Sequence, residues 1–150
     1  MRTEKSCGAI IFKKIKPINS EKESLVFLIV REIKKHGGHW NFPKGHVEKD
    51  ETELETAKRE IMEELKMEID IIDGFREEIK YRVKINKSEK TVIYFLAISK
   101  SEKIELQKSE LADFAWLEYE ECLKKLTFEN SRDLCRKAYN FLIFESRFKN

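Results

Sequence analysis

The chain has 150 residues, with 30 Lys and Arg against 28 Asp and Glu, and a formal net charge of +2. Hydrophobic residues make up 41% of the chain, enough for the core of one domain over 1–150. The balanced charge gives no overall attraction to nucleic acid or to an acidic membrane, so any phosphate binding must be local. The three cysteines form no CxxC pair, which argues against a disulfide framework or a zinc finger.

The amino-terminal region shows no targeting signal. Its first apolar run, from Cys7 to Phe12, is too short for the core of a signal peptide or for a transmembrane helix. We therefore expect a cytoplasmic protein, with the nucleus as a second location, that has no membrane partner. We also expect it to act as a monomer.

The predicted elements mix strands and helices without the regular alternation of a parallel doubly wound sheet. This order predicts an α/β or α+β fold with a mixed sheet sandwiched between helices. The predicted elements are strands at 6–15 and 25–30, an extended piece at 40–43, a loop at 44–51, a helix at 52–67, strands at 69–72 and 75–83 joined by a turn, a hairpin loop at 86–90, strands at 91–98 and 114–117, and helices at 118–126 and 130–148.

The helix at 52–67 is the clearest element. Thr52 followed three residues later by Glu55 has the form of a capping box, which predicts the helix start. Apolar residues recur at intervals of three or four residues and form one stripe that should face the core. The residues of this stripe are Leu54, Ala57, Ile61 and Leu65.

A second stripe of the same helix is acidic. Glu60 and Glu64 lie one turn apart, with Glu63 beside them. Like charges at this spacing destabilise a helix by roughly 0.2–0.5 kcal/mol per pair, and helix propensity does not require them. A hard cation such as Mg²⁺ or Mn²⁺ would explain a self-repelling cluster of carboxylates. On the helix alone, a solvated acidic face is the alternative interpretation.

The surrounding residues resemble the Nudix box, the signature of hydrolases that cut nucleoside diphosphates linked to another group. The box has the arrangement G-x5-E-x7-R-E-U-x-E-E-x-G-U, where U is a bulky aliphatic residue. Its polar and glycine positions are filled here by Gly45, Glu51, Arg59, Glu60, Glu63 and Glu64. Lys66 stands where the family usually has Gly, and it costs ~1 kcal/mol if the left-handed conformation of the helix end persists.

The resemblance extends beyond the box, over about Ser6 to Leu142, and narrows to the asymmetrical diadenosine tetraphosphate hydrolases. Four further segments carry it: 7–12, 39–48, 91–97 and 110–117. The family resemblance implies metal-dependent hydrolysis of a phosphoanhydride by water, with Mg²⁺ or Mn²⁺ as cofactor and a small dinucleoside polyphosphate as substrate. Nucleic acid is not expected as a partner of such an enzyme.

The resemblance also implies roles for residues of the metal site. Glu60 and Glu64 are expected to be metal ligands, and the Gly45 carbonyl completes the site because a glycine lets the backbone approach the ion. Glu63 is either a further ligand or a carboxylate that orients water. Glu110 is expected to be a ligand or a base carried on a polar loop.

The same resemblance implies supporting roles for two residues of the box. Arg59 is expected to brace a carboxylate through a bidentate contact. Glu51 has two roles open, a metal contact through water or a favourable charge at the helix N-terminus. The predicted catalytic set is Arg59, Glu63, Glu64 and Glu110.

Substrate-binding residues follow from the same resemblance. Lys44, His39 and Lys90 are candidates for phosphate contacts, and His39 could also donate to the leaving phosphate. Tyr81 is expected to stack on one face of the adenine ring and Phe114 on the other, so that the two side chains form a clamp around the base. We assign both tryptophans, Trp40 and Trp116, to the core.

Two alternative functions stay open. An enzyme of the same fold could act on a capped or triphosphorylated RNA 5′ end or on an inositol pyrophosphate, and these polyanions would need a broad basic rim. Such a rim could be formed by Lys34, Lys35, Lys44, Lys84, Lys87 and Lys90. A non-catalytic nucleotide-binding module is the other alternative, although such a module has no reason to keep a self-repelling acidic cluster.

Overall fold

The computed structural model describes residues 2–85 and 87–148, and its side chains are described up to residue 145. It contains a mixed seven-stranded sheet with helices on both faces, as the sequence predicts. None of the helices in the described ranges is long and apolar enough to cross a membrane. The elements are β1 (Arg2–Ile15), β2 (Ser24–Glu32), a 3-10 turn (Lys34–His36), β3 (Trp40–Asn41), β4 (Lys44–His46), α1 (Glu53–Leu65), β5 (Ile69–Val83), β6 (Ser88–Ser99), β7 (Leu111–Glu118), α2 (Tyr119–Lys125) and α3 (Glu129–Phe148).

Strand β1 lies at the centre of the sheet. The main path of the sheet is β3-β2-β1-β6-β5, with β4 paired to β1 and β7 paired to β2. The pairing of β1 with β6 is parallel and runs from Arg2 opposite Ser88 to Phe12 opposite Ile98. The other strand pairs are antiparallel.

The two faces of the sheet bury different sets of side chains. Along β1, Ala9 and Ile11 pack with residues of α1, whereas Ile10 and Phe12 pack with residues of α2 and α3. Successive side chains of a strand point to opposite faces, which explains the alternation. The sheet is therefore a layer between α1 and the pair α2 and α3. Both tryptophans pack partly buried against these cores, Trp40 on the α2 and α3 side and Trp116 on the α1 side.

The strands differ from the sequence prediction in three places. The predicted loop at 44–51 begins with a strand, β4, because its backbone pairs with β1. The predicted turn at Asp73-Gly74 is an irregularity inside the single strand β5, where Gly74 has a φ of 95°. Strand β6 begins at Ser88, so Lys90 lies on a strand and not in a hairpin loop. Asn86, the first residue of that predicted loop, lies outside the described residues.

Both ends of α1 follow the local chemistry of the sequence. The Thr52 hydroxyl accepts from the Glu55 backbone N–H at 3.1 Å, and the Thr52 N–H donates to the Glu55 carboxylate at 2.9 Å. At the other end, Lys66 adopts the left-handed conformation with a φ of 55°. Leu54, predicted to face the core, is 43% exposed. Thr56 is buried instead, because its hydroxyl donates to a carboxylate at the helix start.

Candidate active site

The site begins where β4 crosses close to both β1 and α1. A Cβ at Gly8 would lie 2.1 Å from the Pro43 carbonyl oxygen, and a Cβ at Gly45 would lie 2.0 Å from the Glu60 carboxylate. A side chain at Gly8 would clash with backbone, and a side chain at Gly45 would displace the Glu60 carboxylate. The two glycines thus allow the backbone of β4 to lie against β1 and against the acidic face of α1. The Ala9 N–H donates to the Pro43 carbonyl at 3.2 Å and fixes this approach.

The acidic residues predicted for the metal site line one cavity, with a volume of about 490 Å³. We call it the carboxylate cavity and define it by Gly45 and the side chains of Glu60, Glu63, Glu64 and Glu110. Three of these carboxylates come from α1, and Glu110 reaches the cavity from the segment just before β7. The fold thus brings together residues that are up to 65 positions apart in the sequence.

Arg59 organises one side of this cavity. Its Nε donates to Glu51 Oε2 at 2.6 Å and its Nη2 donates to Glu51 Oε1 at 3.0 Å, a bidentate contact. Its Nη1 donates to Glu60 at 2.9 Å and to Glu63 at 3.2 Å, and its Nη2 also donates to the His46 carbonyl at 2.8 Å. The structure therefore contains the predicted brace, and the braced carboxylate is that of Glu51.

The carboxylates of the site differ in their proton affinity. The hydrogen bond from Arg59 lowers the pKa of Glu51 to about 2. Burial, followed by the charge of Glu60, raises the pKa of Glu64 to about 8. Burial also raises the pKa of Glu60. The charge of Glu51 is thus paired with that of Arg59, whereas the charges of the buried Glu64 and the partly buried Glu60 lack full compensation within the protein.

The donors of the carboxylate cavity fit a hard divalent cation. They are carboxylate oxygens, and the Gly45 backbone lies against Glu60 because no Cβ separates them. Oxygen donors of this kind are the ones that Mg²⁺ and Mn²⁺ prefer. Across residues 2–85 and 87–148, however, no three His, Cys, Asp or Glu side chains already converge as a complete ligand set.

Glu110 is held by a histidine that the sequence analysis did not single out. Its Oε2 lies 3.1 Å from His36 Nε2, and both side chains are partly exposed at the rim of the cavity. The Ile33 N–H donates to the Glu110 carbonyl at 3.1 Å, which anchors the backbone there. Glu110 is thus brought to the predicted cavity, with its carboxylate directed to His36.

A second cavity, of about 450 Å³, holds the candidate substrate-binding residues. We call it the aromatic cavity and define it by Tyr81, Phe128, His39 and Lys90. The His39 and Phe128 rings are 4.9 Å apart and tilted by 58°. Lys90 also pairs with Glu4 at 3.4 Å. Glu32, His36, Asn41 and Lys44 line both cavities, so the two are separated only by this shared wall.

Lys44 is the cation of the shared wall. Its burial lowers the pKa of its ammonium group, and the nearby charges of Glu32 and Glu64 oppose that change. A lysine placed here can meet an anion in either cavity.

The structure does not bring Phe114 to Tyr81, so the predicted clamp is wrong in its second member. Phe114 lies opposite Val30 in the β2–β7 pair, and directly opposed side chains share a face of the sheet. It packs with Val30 and Leu111 in the core on the α1 side. Tyr81 lines the aromatic cavity, where Phe128 is the other exposed aromatic ring.

Sequence reasoning missed several residues of the two cavities. Phe128 follows α2 in a short connection without a periodic pattern, and His36 belongs to an unpredicted 3-10 turn. The neighbouring Thr127 places Phe128, because Thr127 exchanges hydrogen bonds with Trp40 of β3. This contact spans 87 residues, so no local sequence signal could have predicted it.

Comparison with known proteins places these observations in a family. The model of the NUDIX domain matches residues 15–137. Asymmetrical bis(5′-nucleosyl)-tetraphosphatase from Mus musculus is 34% identical over 142 residues, which cover 92% of this chain and 95% of that protein. An Ap4A hydrolase from C. elegans, solved as a binary complex, superposes with a TM-score of 0.81 at 28% identity and covers 93% of this chain and 98% of its own.

A more distant structure shares the fold alone. The NUDIX domain of Shewanella oneidensis NrtR, solved with ADP-ribose, has a TM-score of 0.69 at 16% identity and covers 95% of this chain and 90% of its own. The family match spans most of the chain, and the carboxylates of the box converge on one cavity. The chain therefore belongs to the Nudix family.

Proposed function

We propose that this chain hydrolyses dinucleoside polyphosphates and splits diadenosine tetraphosphate into ATP and AMP. The observation that carries the proposal is the shared wall between the carboxylate cavity and the aromatic cavity. A nucleotide joins a flat base to a charged phosphate chain, and the two cavities offer an aromatic and an acidic environment side by side. The names of the mouse and C. elegans relatives support the same substrate class.

We infer that a divalent cation, Mg²⁺ or Mn²⁺, takes part in the reaction. The residues that would hold it are the Gly45 carbonyl and the side chains of Glu60, Glu63, Glu64 and Glu110. When bound, such a cation neutralises charge on phosphate oxygens and lowers the pKa of a coordinated water. Arg59 keeps Glu60 and Glu63 oriented toward the cavity through its hydrogen bonds.

The catalytic assignment follows from the surroundings of each acid. Glu64 is buried and close to Glu60, so its carboxylate is poorly compensated within the protein. Glu63 is more exposed, with 47% of its side chain accessible to solvent. It is suited to orient the attacking water or to accept a proton from that water. Glu110, at the rim of the same cavity, can approach the reacting group from the segment before β7.

The substrate would be held on the other side of the shared wall. Tyr81 and Phe128 line the aromatic cavity from β5 and from the connection between α2 and α3, and an adenine ring can stack on either of them. Lys44 offers a positive charge to the phosphates at the wall. His39 and Lys90 lie on the aromatic side and are suited to phosphates near the bound nucleoside.

This arrangement predicts an asymmetric cut. The carboxylates lie on a rigid helix, and the aromatic cavity lies at a fixed distance from them. A base held in one place therefore presents one particular phosphorus to the activated water, because positioning determines which bond reacts. A symmetric cut would need the reacting centre at the midpoint of the phosphate chain.

Product analysis tests the proposal. Purified protein with Mg²⁺ and diadenosine tetraphosphate should give ATP and AMP by chromatography, and isotopically labelled water should mark the attacked phosphorus. Two ADP as the main product would remove the asymmetric assignment. No reaction, together with pyrophosphate release from 5′-triphosphorylated RNA or phosphate release from an inositol pyrophosphate, would favour the alternative substrates.

Activity with and without the cation tests the remaining alternative. A non-catalytic nucleotide-binding module would bind the substrate but would show no turnover at any Mg²⁺ or Mn²⁺ concentration. The monomeric state and the cytoplasmic or nuclear location remain predictions of the sequence.

A further inference from the structure

Glu32 lies at the end of β2, in the shared wall between the two cavities. Its backbone N–H donates to the His39 carbonyl at 3.0 Å. An irregularity in the β2–β7 register falls between Arg31 and Glu32, where Glu32 pairs with Leu111. Bulges of this kind redirect side chains next to active sites. These backbone contacts thus fix the position of residue 32 between the cavities, and its side chain is half-buried there.

Two other side chains of the wall already have partners. The Asn41 side-chain oxygen accepts from the Ser131 hydroxyl at 2.7 Å. His36 Nε2 lies 3.1 Å from the carboxylate of Glu110. Each of these side chains is thus partly engaged in the unliganded protein.

Glu32 differs from them. In the parts of the chain that the structure describes, its carboxylate makes neither a hydrogen bond nor an ion pair. Lys44 is the remaining wall residue, and its ammonium group can only donate. A half-buried carboxylate that accepts no hydrogen bond has given up hydrogen bonds to water, and the nearby charge of Lys44 does not replace them with a direct contact. A ligand that presents hydroxyl donors at this place would restore the missing hydrogen bonds.

The order of groups in a nucleotide identifies those donors. A base in the aromatic cavity and phosphates in the carboxylate cavity require the ribose to cross the shared wall. We propose that Glu32 is a specificity-determining residue that accepts hydrogen bonds from the 2′- and 3′-hydroxyls of that ribose. The inference rests on the proposed function. Carboxylates bind ribose hydroxyls in this way in dinucleotide-binding folds.

The rival role for Glu32 is a counter-charge for Lys44. A counter-charge would act through the phosphate-binding lysine and would affect every substrate to the same extent. A ribose contact instead distinguishes a ribonucleoside from its deoxy analogue. The ratio of kcat/KM between these two substrates therefore separates the roles, because a general loss of activity cancels in the ratio.

The experiment compares diadenosine tetraphosphate with its bis-2′-deoxy and bis-3′-deoxy analogues and with diguanosine tetraphosphate. The variants are Glu32→Ala and Glu32→Gln, and the second keeps the shape of the side chain in case the first does not fold. Glu21→Ala is the matched control, since Glu21 is an exposed carboxylate near the opposite end of β2. Melting temperatures verify the fold of each variant.

We expect wild type and the Glu21 variant to prefer the ribose substrate over at least one deoxy analogue by about ten-fold or more. The ratio of kcat/KM for the ribose substrate to that for the deoxy analogue should fall close to one in Glu32→Ala. In Glu32→Gln the same ratio should be lower than in wild type.

An unchanged ratio in both Glu32 variants, or a wild-type enzyme that does not distinguish the two sugars, overturns the inference. A change in adenine-over-guanine preference with an unchanged sugar ratio would also overturn it, since Glu32 would then contact the base. Absence of hydrolysis of every dinucleoside polyphosphate would instead refute the proposed function, and this inference with it.

Discussion

The Arg59 guanidinium contacts the Glu51 carboxylate at two points, Nε to Oε2 at 2.6 Å and Nη2 to Oε1 at 3.0 Å. This contact can affect catalysis even if neither residue touches the substrate. The same guanidinium also donates to Glu60 and Glu63, so the position of two cavity carboxylates depends on how Arg59 is held. Glu51 thereby fixes Arg59, and Arg59 fixes the acidic face of α1.

Arg59→Lys should therefore impair catalysis through the position of the carboxylates. A lysine cannot make the planar fork with Glu51 and hold Glu60 and Glu63 at the same time. We expect kcat to fall by about ten-fold or more, because misplacement of catalytic groups is costly. We also expect a higher Mg²⁺ concentration for half-maximal activity, and a titration of kcat against Mg²⁺ measures both.

The matched control is Arg76→Lys. Arg76 makes an equivalent fork with Glu53 of the same helix, with both contacts at 2.9 Å, and it lies away from the cavities. This variant should keep the kcat and the Mg²⁺ dependence of the wild type. Equal turnover in the Arg59 and Arg76 variants would show that the brace has no catalytic consequence.

Glu64→Gln should keep the fold and lose the chemistry. The substitution preserves the size of a buried side chain but removes the charge that a bound cation would need. We expect kcat to decrease by ~10²-fold or more, with a melting temperature no lower than that of the wild type. The exposed Glu68, which pairs with Lys100 beyond the end of α1, provides the control Glu68→Gln. Near wild-type turnover in the Glu64 variant would remove its assignment.

Tyr81→Ala should weaken binding more than it slows the reaction. A ring stacked on the base contributes equally to the ground state and the transition state, so KM should rise about ten-fold while kcat changes little. We expect the same pattern for Phe128→Ala, since Phe128 lines the same cavity.

Phe114→Ala is the contrasting variant. Phe114 packs in the core on the α1 side, so its truncation should lower the melting temperature and leave KM near the wild-type value. A rise in KM for Phe114→Ala without loss of stability would restore the original clamp. A lower melting temperature of Tyr81→Ala, with KM intact, would make Tyr81 a core residue.

The lowered pKa of Glu53 predicts that the stability of the protein depends on pH. Its hydrogen bonds with Arg76, and next with Lys5, lower its pKa to about 2. A carboxylate with a depressed pKa in the folded state stabilises the protein fully above its unfolded pKa of about 4.3 and loses this contribution as the pH falls toward 2. Melting temperatures of wild type and Glu53→Gln should therefore differ at pH 6 and converge near pH 2. Glu51 titrates in the same range, so both proteins keep some acid sensitivity. Parallel curves over the whole range would contradict the prediction.

Local chemistry made the centre of the site predictable. The capping box of Thr52 and Glu55 and the spacing of Glu60 and Glu64 depend only on helix geometry, which a sequence window contains. The same holds for Lys66, whose left-handed conformation follows from its position at the helix end. Residues of this kind can be placed before any tertiary contact is known.

The parts of the site that the sequence did not predict depend on contacts between segments that are far apart in the chain. The face on which Phe114 lies depends on its register with β2, and a strand pattern alone is compatible with either face. Phe128 reaches the aromatic cavity because Thr127 bonds to Trp40, far away in the sequence. The wall residue Glu32 is placed by a bulge, which has no sequence signature of its own here.

The central position of β1 has a consequence for biosynthesis. Its parallel partner β6 begins at Ser88, so the register from Arg2 to Phe12 cannot form until about two thirds of the chain has left the ribosome. Until then, the growing chain carries a hydrophobic strand with an unpaired edge, and such edges favour association with other chains. Contacts between such distant segments also slow folding. We therefore expect nascent chains that stop before Ser88 to depend on chaperones, whereas chains extended past Ile98 can complete the pairing of β1 with β6.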